Sequence, residues 1–509
     1  MTPTLISLLP LVVFLAVAVA LSLYVRSRTS HEAGGLRDED GQAQSKASGF
    51  IRNYFIGNRG LGGFVLAMTT VATYGSVSSF VGGPGQAWEI GFGWVYMAVV
   101  QVTALILLYG VFGKKMALVS RKLGAVTVVD VIRARFGSNA LANLSAIVIV
   151  IFFAATMVAQ FVGGAKLFEA VTGYSYFAGL AIFGITAILF TVIGGFRGVA
   201  VTDALCGIMM IVGIVVLAYG ILSAGDGYEA IMQGIAATDP QKLDPFSGGD
   251  MPVSLYFTQW LLVGVFTLVL PQSVVRTLSF KDTKSLHNAM IIGTVVIGIM
   301  MIGTTALGVL ASGVLTDELA AYGGSVDNII PQTIVQSLPP VLAGIAIVGP
   351  IAASISTVSS LLISSASAII NDMYLQWAVP RGKKPSLRGV ATASQLSTLI
   401  IGAIVFVLSI VPPDVIWKIN MFAFGGLETA FFFVLVCGMF WKRANAVGAF
   451  CSMAGGVAAY CITMAMGFKI AGMHQIVIGI AVAGALMLLG TLAAKHRPDS
   501  RLEIFFPER

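Results

Sequence analysis

Between Ala352 and Ser367 the chain reads AASISTVSSLLISSAS, eight hydroxyl side chains in a stretch otherwise apolar enough to cross a bilayer. At about 100° per residue, Ser356, Ser359, Ser360, Ser364 and Ser367 share one helical face, with Ala353 on it and Thr357 at its edge. Uncharged oxygens in such a line do one of two things. They glue helices together through close packing and interhelical hydrogen bonds, or they supply the oxygen ligands that a hard cation such as Na⁺ requires. Two carboxylates stand nearby in chemistry if not in sequence: Asp203 begins or borders an apolar run, and Glu428 lies well inside one. An intramembrane carboxylate is costly and marks function by default. Asp203 reads either as an ion-coupling group or as the partner of nearby Arg197, and Glu428 as a structural or gating residue rather than a direct ligand.

Nothing else in the chain suggests catalysis. The histidines, His31, His287, His474 and His496, fall in or near loops with no nucleophile motif, no HExxH and no phosphate-cradling glycine loop. Cys206, Cys437, Cys451 and Cys461 lie within apolar runs and lack metal-ligand spacing, so they read as packing residues. Binding and movement are the functions to expect, and an enzyme is not.

The elements that position these groups follow from composition. With 57% hydrophobic and 10% charged residues over 509 positions and a mean hydropathy of +0.91, the chain is an all-α polytopic membrane protein. Apolar runs of about 20 residues recur about thirteen times, from 4–24 to 475–494. The first has no basic segment before it and no cleavage site after it, so it reads as a true span. Segments 25–60, 113–141, 196–199, 275–288, 370–390, 442–443 and 495–509 are alternate connections and hold 26 of the 30 basic residues. The positive-inside rule then puts the C-terminus in the cytoplasm and the N-terminus outside, in a plasma (inner) membrane. The opposite connections are acidic, through Asp226, Glu229, Asp239, Asp244 and Asp250 and through Asp317, Glu318 and Asp327. The net charge of +7 thus reflects topology and calls for no nucleic acid.

Two spans look interrupted. The second reads LAMTTVATYGSVSSFVGGPG from Leu66, rich in small residues and closing on Gly-Gly-Pro, and the seventh reads WLLVGVFTLVLPQSVVR from Trp260, with Gly264 in its middle and Pro271 near its end. Glycine weakens a helix interior and proline removes a hydrogen bond, so both can unwind and bare carbonyls at mid-membrane depth. The second of these comes five helices after the first. An odd count per group makes the second group enter the membrane from the opposite side, which is the arithmetic of LeuT-like inverted five-helix repeats. The expected organisation is a leading helix and cytoplasmic loop (1–60), a first repeat (61–222), an outer loop (223–254), a second repeat (255–438), and two further helices with a cytoplasmic tail (439–509).

IGGFRGVAVTDALCG at 193–207, the serine segment at 352–367 and GMFWKRANAVGA at 438–449 resemble the sodium:solute symporter family, and the resemblance extends over most of the chain. It implies sodium-coupled symport by alternating access. It also implies a sodium site from the carbonyls of Ala72, Gly75 and Ala353 with the hydroxyls of Ser356 and Thr357. Some members carry a second sodium site, matched here by Asp203, Ser356, Ser359 and Ser360; Cys206 departs from the glutamine common in the family. Within the family, NYFIGNRGLGGFVLAMTTVATYGSVSSFVGGPGQAW at 53–88 and FAFGGLETAFF at 422–432 resemble members that carry pantothenate, which implies that cargo. A monocarboxylate, an amino acid or a sugar acid is the alternative, and a transporter-like membrane sensor a more distant one. For a pocket that recognises a carboxylate, an amide and hydroxyls, the expected neighbourhood is Tyr74, Ser76, Ser79, Gln101, Gln160, Trp260 and Thr267. Gly264, Pro271, Arg276 and Glu428 are expected to gate or support it, Arg276 lying near the cytoplasmic end of its span where basic residues gather for topology alone.

Overall fold

The structure, a computed structural model, describes residues 3–32, 62–249, 251–381, 386–494 and 502–507, except the side chains of 3–5, 25–32, 193–198, 200, 387 and 388. The expected loop over 25–60 therefore lies almost wholly outside the described residues, as do the Arg197 side chain and the start of the 53–88 segment. Eleven described helices are long and apolar enough to cross a membrane; a bent pair and the shorter Tyr176–Val192 bring the crossings to thirteen. In chain order they are α1 (Pro3–Glu32), α2 (Gly63–Tyr74 and Ser78–Ile90), α3 (Phe92–Leu123), α4 (Asn139–Thr172), α5 (Tyr176–Val192), α6 (Val201–Ala224) and α7 (Val253–Leu278). There follow α8 (Thr283–Ala311), α9 (Pro340–Arg381), α10 (Leu387–Leu408), α11 (Ile416–Phe440), α12 (Ala446–Ala465) and α13 (Ile476–Ala493). Large exposed side chains such as Val12, Ile151, Ile185, Val215 and Leu489 are what helices facing hydrocarbon present.

Helical hydrogen bonding runs unbroken from Tyr176 to Ala224, although two crossings are expected there. Contacts along it show the reversal. Thr191 and Asp203 both reach one short stretch of α9, at Ser359 and Ser356, while Tyr176 bonds the Ser409 carbonyl. A Cβ on Gly220 would meet Leu338. α5 and α6 are therefore the arms of a hairpin that turns between 191 and 203.

α2 bends by 65°. Its first half ends where the Gly75 N–H closes on the Val71 carbonyl (2.7 Å), and Gly75 adopts an extended conformation at φ −68°, ψ 129°. In a continuous helix the Val77 N–H would bond Thr73; here it donates to Gln160 Oε1 of α4 at 2.9 Å. A fully buried amide thus substitutes for the missing helical acceptor. The Gly-Gly-Pro sequence, expected to close this span, does not: a π turn at Ser78–Gly82 leads into Pro84, and the helix runs on to Ile90. In α7 the interruption runs through a π turn at Leu261–Val265 and a 3₁₀ turn at Phe266–Val269, and Pro271 opens the last helical segment. A Cβ on Gly264 would press on Val100 at 2.5 Å, so glycine lets α3 and α7 approach.

The basic connections gather on one face. Arg121 donates to the Phe280 carbonyl at 2.7 Å, and Arg135 to that of Gly438 at 2.7 Å. This face is closed by a clamp: Thr127, the capping residue of the short helix Val128–Phe136, donates to Asp372 Oδ1 at 2.7 Å, and Arg133 to the Asp372 carbonyl at 2.6 Å. On the opposite face buried Asp327 pairs with Lys166 at 3.1 Å and accepts from the Ile416 N–H at the start of α11. Burial raises its carboxyl above the usual range, against the pull of Lys166. Beside it opens a vestibule of about 1120 Å³.

Candidate functional site

The break in α2 and the hydroxyl face of α9 meet at the centre of the molecule. Thr357 Oγ1 donates to the Gly75 carbonyl at 3.1 Å. Beyond Val71 the α2 ladder has run out, so the carbonyls from Ala72 onward have no downstream helical donor. Ala72, Gly75, Ala353, Ser356 and Thr357 are all buried, which keeps competing water from their oxygens. Ser356 Oγ gives its proton to Asp203 Oδ1 at 2.5 Å. A hydroxyl committed that way presents lone pairs, not hydrogen, to whatever lies on its other side. Five neutral oxygens from two elements, one polarised by a carboxylate behind it, suit a monovalent hard cation.

Asp203 has a partner, and it is not the one the sequence suggests. Arg276, expected at the cytoplasmic rim, is only 2% exposed and reaches Asp203 Oδ2 at 3.1 Å. The same guanidinium donates to Thr73 Oγ1 at 2.8 Å and Ser360 Oγ at 2.5 Å, while Thr69 Oγ1 donates to Asp203 at 2.8 Å. Three of the four residues matched to a second sodium site are therefore gathered around an arginine. The fourth, Ser359, turns to Thr191 at 2.9 Å. Of the rest of the stripe, Ser354 bonds the Gln160 carbonyl at 2.9 Å, and Ser365 and Ser367 are buried without a hydrogen bond.

Between the α2 break and α11 lies a second, enclosed cavity of about 30 Å³. Tyr74, Ser76, Ser79, Gln101 and Thr267 line it, as the sequence led us to expect. Gln160 and Trp260 do not. Gln160 is spent on holding the α2 break, and Trp260 is half-buried on the outer wall, donating to the Tyr96 carbonyl at 3.0 Å. Two of the expected donors are occupied: Tyr74 OH bonds the Val263 carbonyl at 3.0 Å and Thr267 that of Gly264 at 3.0 Å. Open valences belong also to two residues missed in the sequence. Ser78 Oγ and Asn420 Oδ1 are buried, face the cavity and have no partner. Asn420 was findable as a lone amide inside an apolar span. Trp94 and Trp417 pack edge to face at 4.7 Å and, with Met421, line both this cavity and the vestibule, forming the wall between them.

Glu428 lies one helical turn below Phe424 of the cavity wall; it is fully buried, and neither carboxyl oxygen has a hydrogen-bond partner. No group of three or more histidine, cysteine or acidic side chains suited to a metal is present among the described residues.

The model of the sodium:solute symporter family matches residues 54–456. A sodium/pantothenate symporter of Haemophilus influenzae is 38% identical over 88% of this chain and 91% of its own. A sodium/pantothenate symporter of Escherichia coli is 37% identical over 97% of this chain and 98% of its own. Among solved structures, the substrate-bound outward-open state of a Na⁺-coupled sialic acid symporter superposes with a TM-score of 0.79 at 19% identity, covering 96% of this chain and 98% of that one. That likeness establishes the architecture, LeuT-like inverted repeats.

Proposed function

The chain belongs to the sodium:solute symporter family, and on that premise we infer that it imports pantothenate together with Na⁺. One observation carries the cargo: the two bacterial relatives matched over most of their length are both pantothenate symporters. The site chemistry agrees. Pantothenate offers a carboxylate, an amide and two hydroxyls, and the inner cavity offers uncharged donors and acceptors with Ser78 and Asn420 unsatisfied. Lys418 and Lys469 line the vestibule, where positive charge draws an anion toward the wall of tryptophans. The groups 61–222 and 255–438 form the two repeats. The basic face is the cytoplasmic one of a plasma membrane, with the N-terminus outside.

In this arrangement Na⁺ enters at the oxygens of Ala72, Gly75, Ala353, Ser356 and Thr357. Its occupancy fixes the α2 break against α9, and the same break carries Tyr74, Ser76, Ser78 and Ser79 into the cargo cavity. Ion and cargo therefore stabilise one backbone conformation, so each raises the other's affinity by the same factor. Release follows when the clamp of Thr127 and Arg133 on Asp372 opens and the wall at Trp94 and Trp417 stays shut.

Labelled pantothenate uptake into membrane vesicles, with and without an inward Na⁺ gradient, tests the reading. Accumulation that requires the gradient and resists competition by proline, lactate and sialic acid is expected. Gradient-driven uptake of one of those competitors in place of pantothenate would reassign the cargo and leave the family untouched.

A further inference from the structure

Asp203, Ser356, Ser360, Thr69 and Thr73 form a buried oxygen cluster around one carboxylate, and the cation it holds is covalently part of the chain. Arg276 fills it: its Nη2 lies within hydrogen-bond reach of Thr73, Ser360 and Asp203, the last contact also an ion pair, at 2% exposure for Arg276 and 1% for Asp203. We propose that Arg276 is a resident cation standing where a second coupling ion would bind, so that each cycle moves one Na⁺ with one pantothenate anion and carries no net charge. This rests on the reading of the protein as a Na⁺–pantothenate symporter.

The geometry leaves little room for another outcome. Asp203 Oδ1 accepts from Ser356 and Oδ2 from both Thr69 and Arg276, so each oxygen is committed. Ser360, a would-be ligand, points its oxygen at the guanidinium at 2.5 Å. An Na⁺ added here would face a fixed positive charge at close range, and a buried guanidinium cannot discharge itself by losing a proton. The counter-charge is also anchored. Arg276 occupies the last helical segment of α7, whose start is fixed by Pro271, so the cation moves with the protein and returns with it. The remaining ion site contains neutral oxygens only, so its occupant contributes the one mobile positive charge, which the cargo carboxylate cancels.

The purified full chain in liposomes tests this with a K⁺ diffusion potential imposed independently of the Na⁺ gradient. Gradient-driven uptake must first be present; its absence would remove the Na⁺–pantothenate reading, not this one. Given uptake, the expected accumulation ratio and initial rate are unchanged by an inside-negative potential, and the Na⁺ dependence has a Hill slope of about 1. Each net positive charge carried would instead multiply the attainable accumulation about 50-fold per 100 mV. Wild-type accumulation that rises with potential, or a Hill slope near 2, overturns the proposal whatever any variant does. Arg276→Gln gives the converse: with the guanidinium gone, Asp203 and Ser360 become free to take an ion, and uptake becomes potential-dependent with a steeper Na⁺ response. A folded, active Arg276→Gln protein that keeps the wild-type slope and indifference to potential would also overturn it.

Discussion

α2 and α7 hold equivalent places in the two repeats, yet they are interrupted differently. α2 turns through 65° at Gly75 and Ser76, and a side chain from another helix, Gln160, takes the Val77 N–H that the break strands. α7 remains one span, spreading its irregularity over a π turn and a 3₁₀ turn from Leu261 to Val269, where Thr267 bonds the Gly264 carbonyl and Tyr74 of α2 bonds that of Val263. A sharp break held from outside bares carbonyls, and those of α2 face the hydroxyls of α9. The diffuse break of α7 instead lends shape to the cavity wall at Val263 and Thr267. On the proposed function, the α2 break serves the ion site and one wall of the cargo cavity together, and the α7 break serves the cargo cavity alone.

That division can be broken by experiment. The largest effect belongs to the ion side: Thr357→Ala removes the hydroxyl opposite Gly75, and the Na⁺ concentration for half-maximal uptake should rise about tenfold or more while pantothenate KM at saturating Na⁺ stays within about twofold. An unchanged Na⁺ titration would falsify the site. On the cargo side, Asn420→Ala deletes an unsatisfied amide facing the cavity, and pantothenate KM should rise about fivefold with little change in the Na⁺ response beyond linkage. If both constants move together, the two functions are not separable. A smaller contrast sets the breaks directly against each other. Gln160→Leu strands the Val77 N–H at a cost of about 1–3 kcal/mol and should weaken Na⁺ dependence about threefold, whereas Thr267→Val, which loses a local bond only, should cost under about 1 kcal/mol and leave Na⁺ dependence alone. Thermal unfolding in detergent together with Na⁺ titration reads both.

A separate test lies in the vestibule. His474 is pushed down to about 4 by burial and by Lys469. Its Nδ1 accepts from the Ile476 N–H at 3.2 Å, a bond only the unprotonated nitrogen can make. Between about pH 6.5 and 4 the unfolded chain binds this proton and the folded chain does not. Stability should therefore fall as pH drops through that window and be flat above it. His474→Gln should flatten the profile, and an identical slope in the variant would exclude His474 as its source.

Much of this was legible in the residues because membrane helices advertise themselves. Thirteen crossings, two interrupted spans five apart and a hydroxyl face all follow from apolar runs, Gly and Pro, and a period of 3.6. The residues of the ion site were implied by resemblance alone, and two of them, Thr357 and Gly75, are hydrogen-bonded to each other. What the sequence hid was who pairs with whom. Arg276 looks like any basic residue at a span's end, and nothing local says that its helix turns it inward to meet Asp203, 73 positions away. Gln160 reads as a cargo ligand because a lone amide in lipid suggests function, and only the tertiary structure shows that amide satisfying a backbone N–H. Asn420 was overlooked beside the more conspicuous Glu428, although its unsatisfied oxygen is the one that faces the cavity. The end of the α2 span lay further on than Gly-Gly-Pro suggested, because a π turn at Ser78–Gly82 carries the helix through Pro84 to Ile90.

The wall of Trp94 and Trp417 has a consequence for how selectivity can evolve. A cavity of about 30 Å³ accommodates a single small particle, not an amide-linked acid with a branched diol. If the indoles part to admit cargo, the apparent affinity is the intrinsic affinity diminished by the work of that separation. A substitution that loosens the indole pair would tighten apparent binding without touching the ligand. It would do so for ill-fitting solutes as well. Scavenging at very low nutrient levels and discrimination among nutrients are then opposed demands on the same two rings, and lineages facing scarcity should differ from those facing mixtures at this wall before they differ in the pocket behind it.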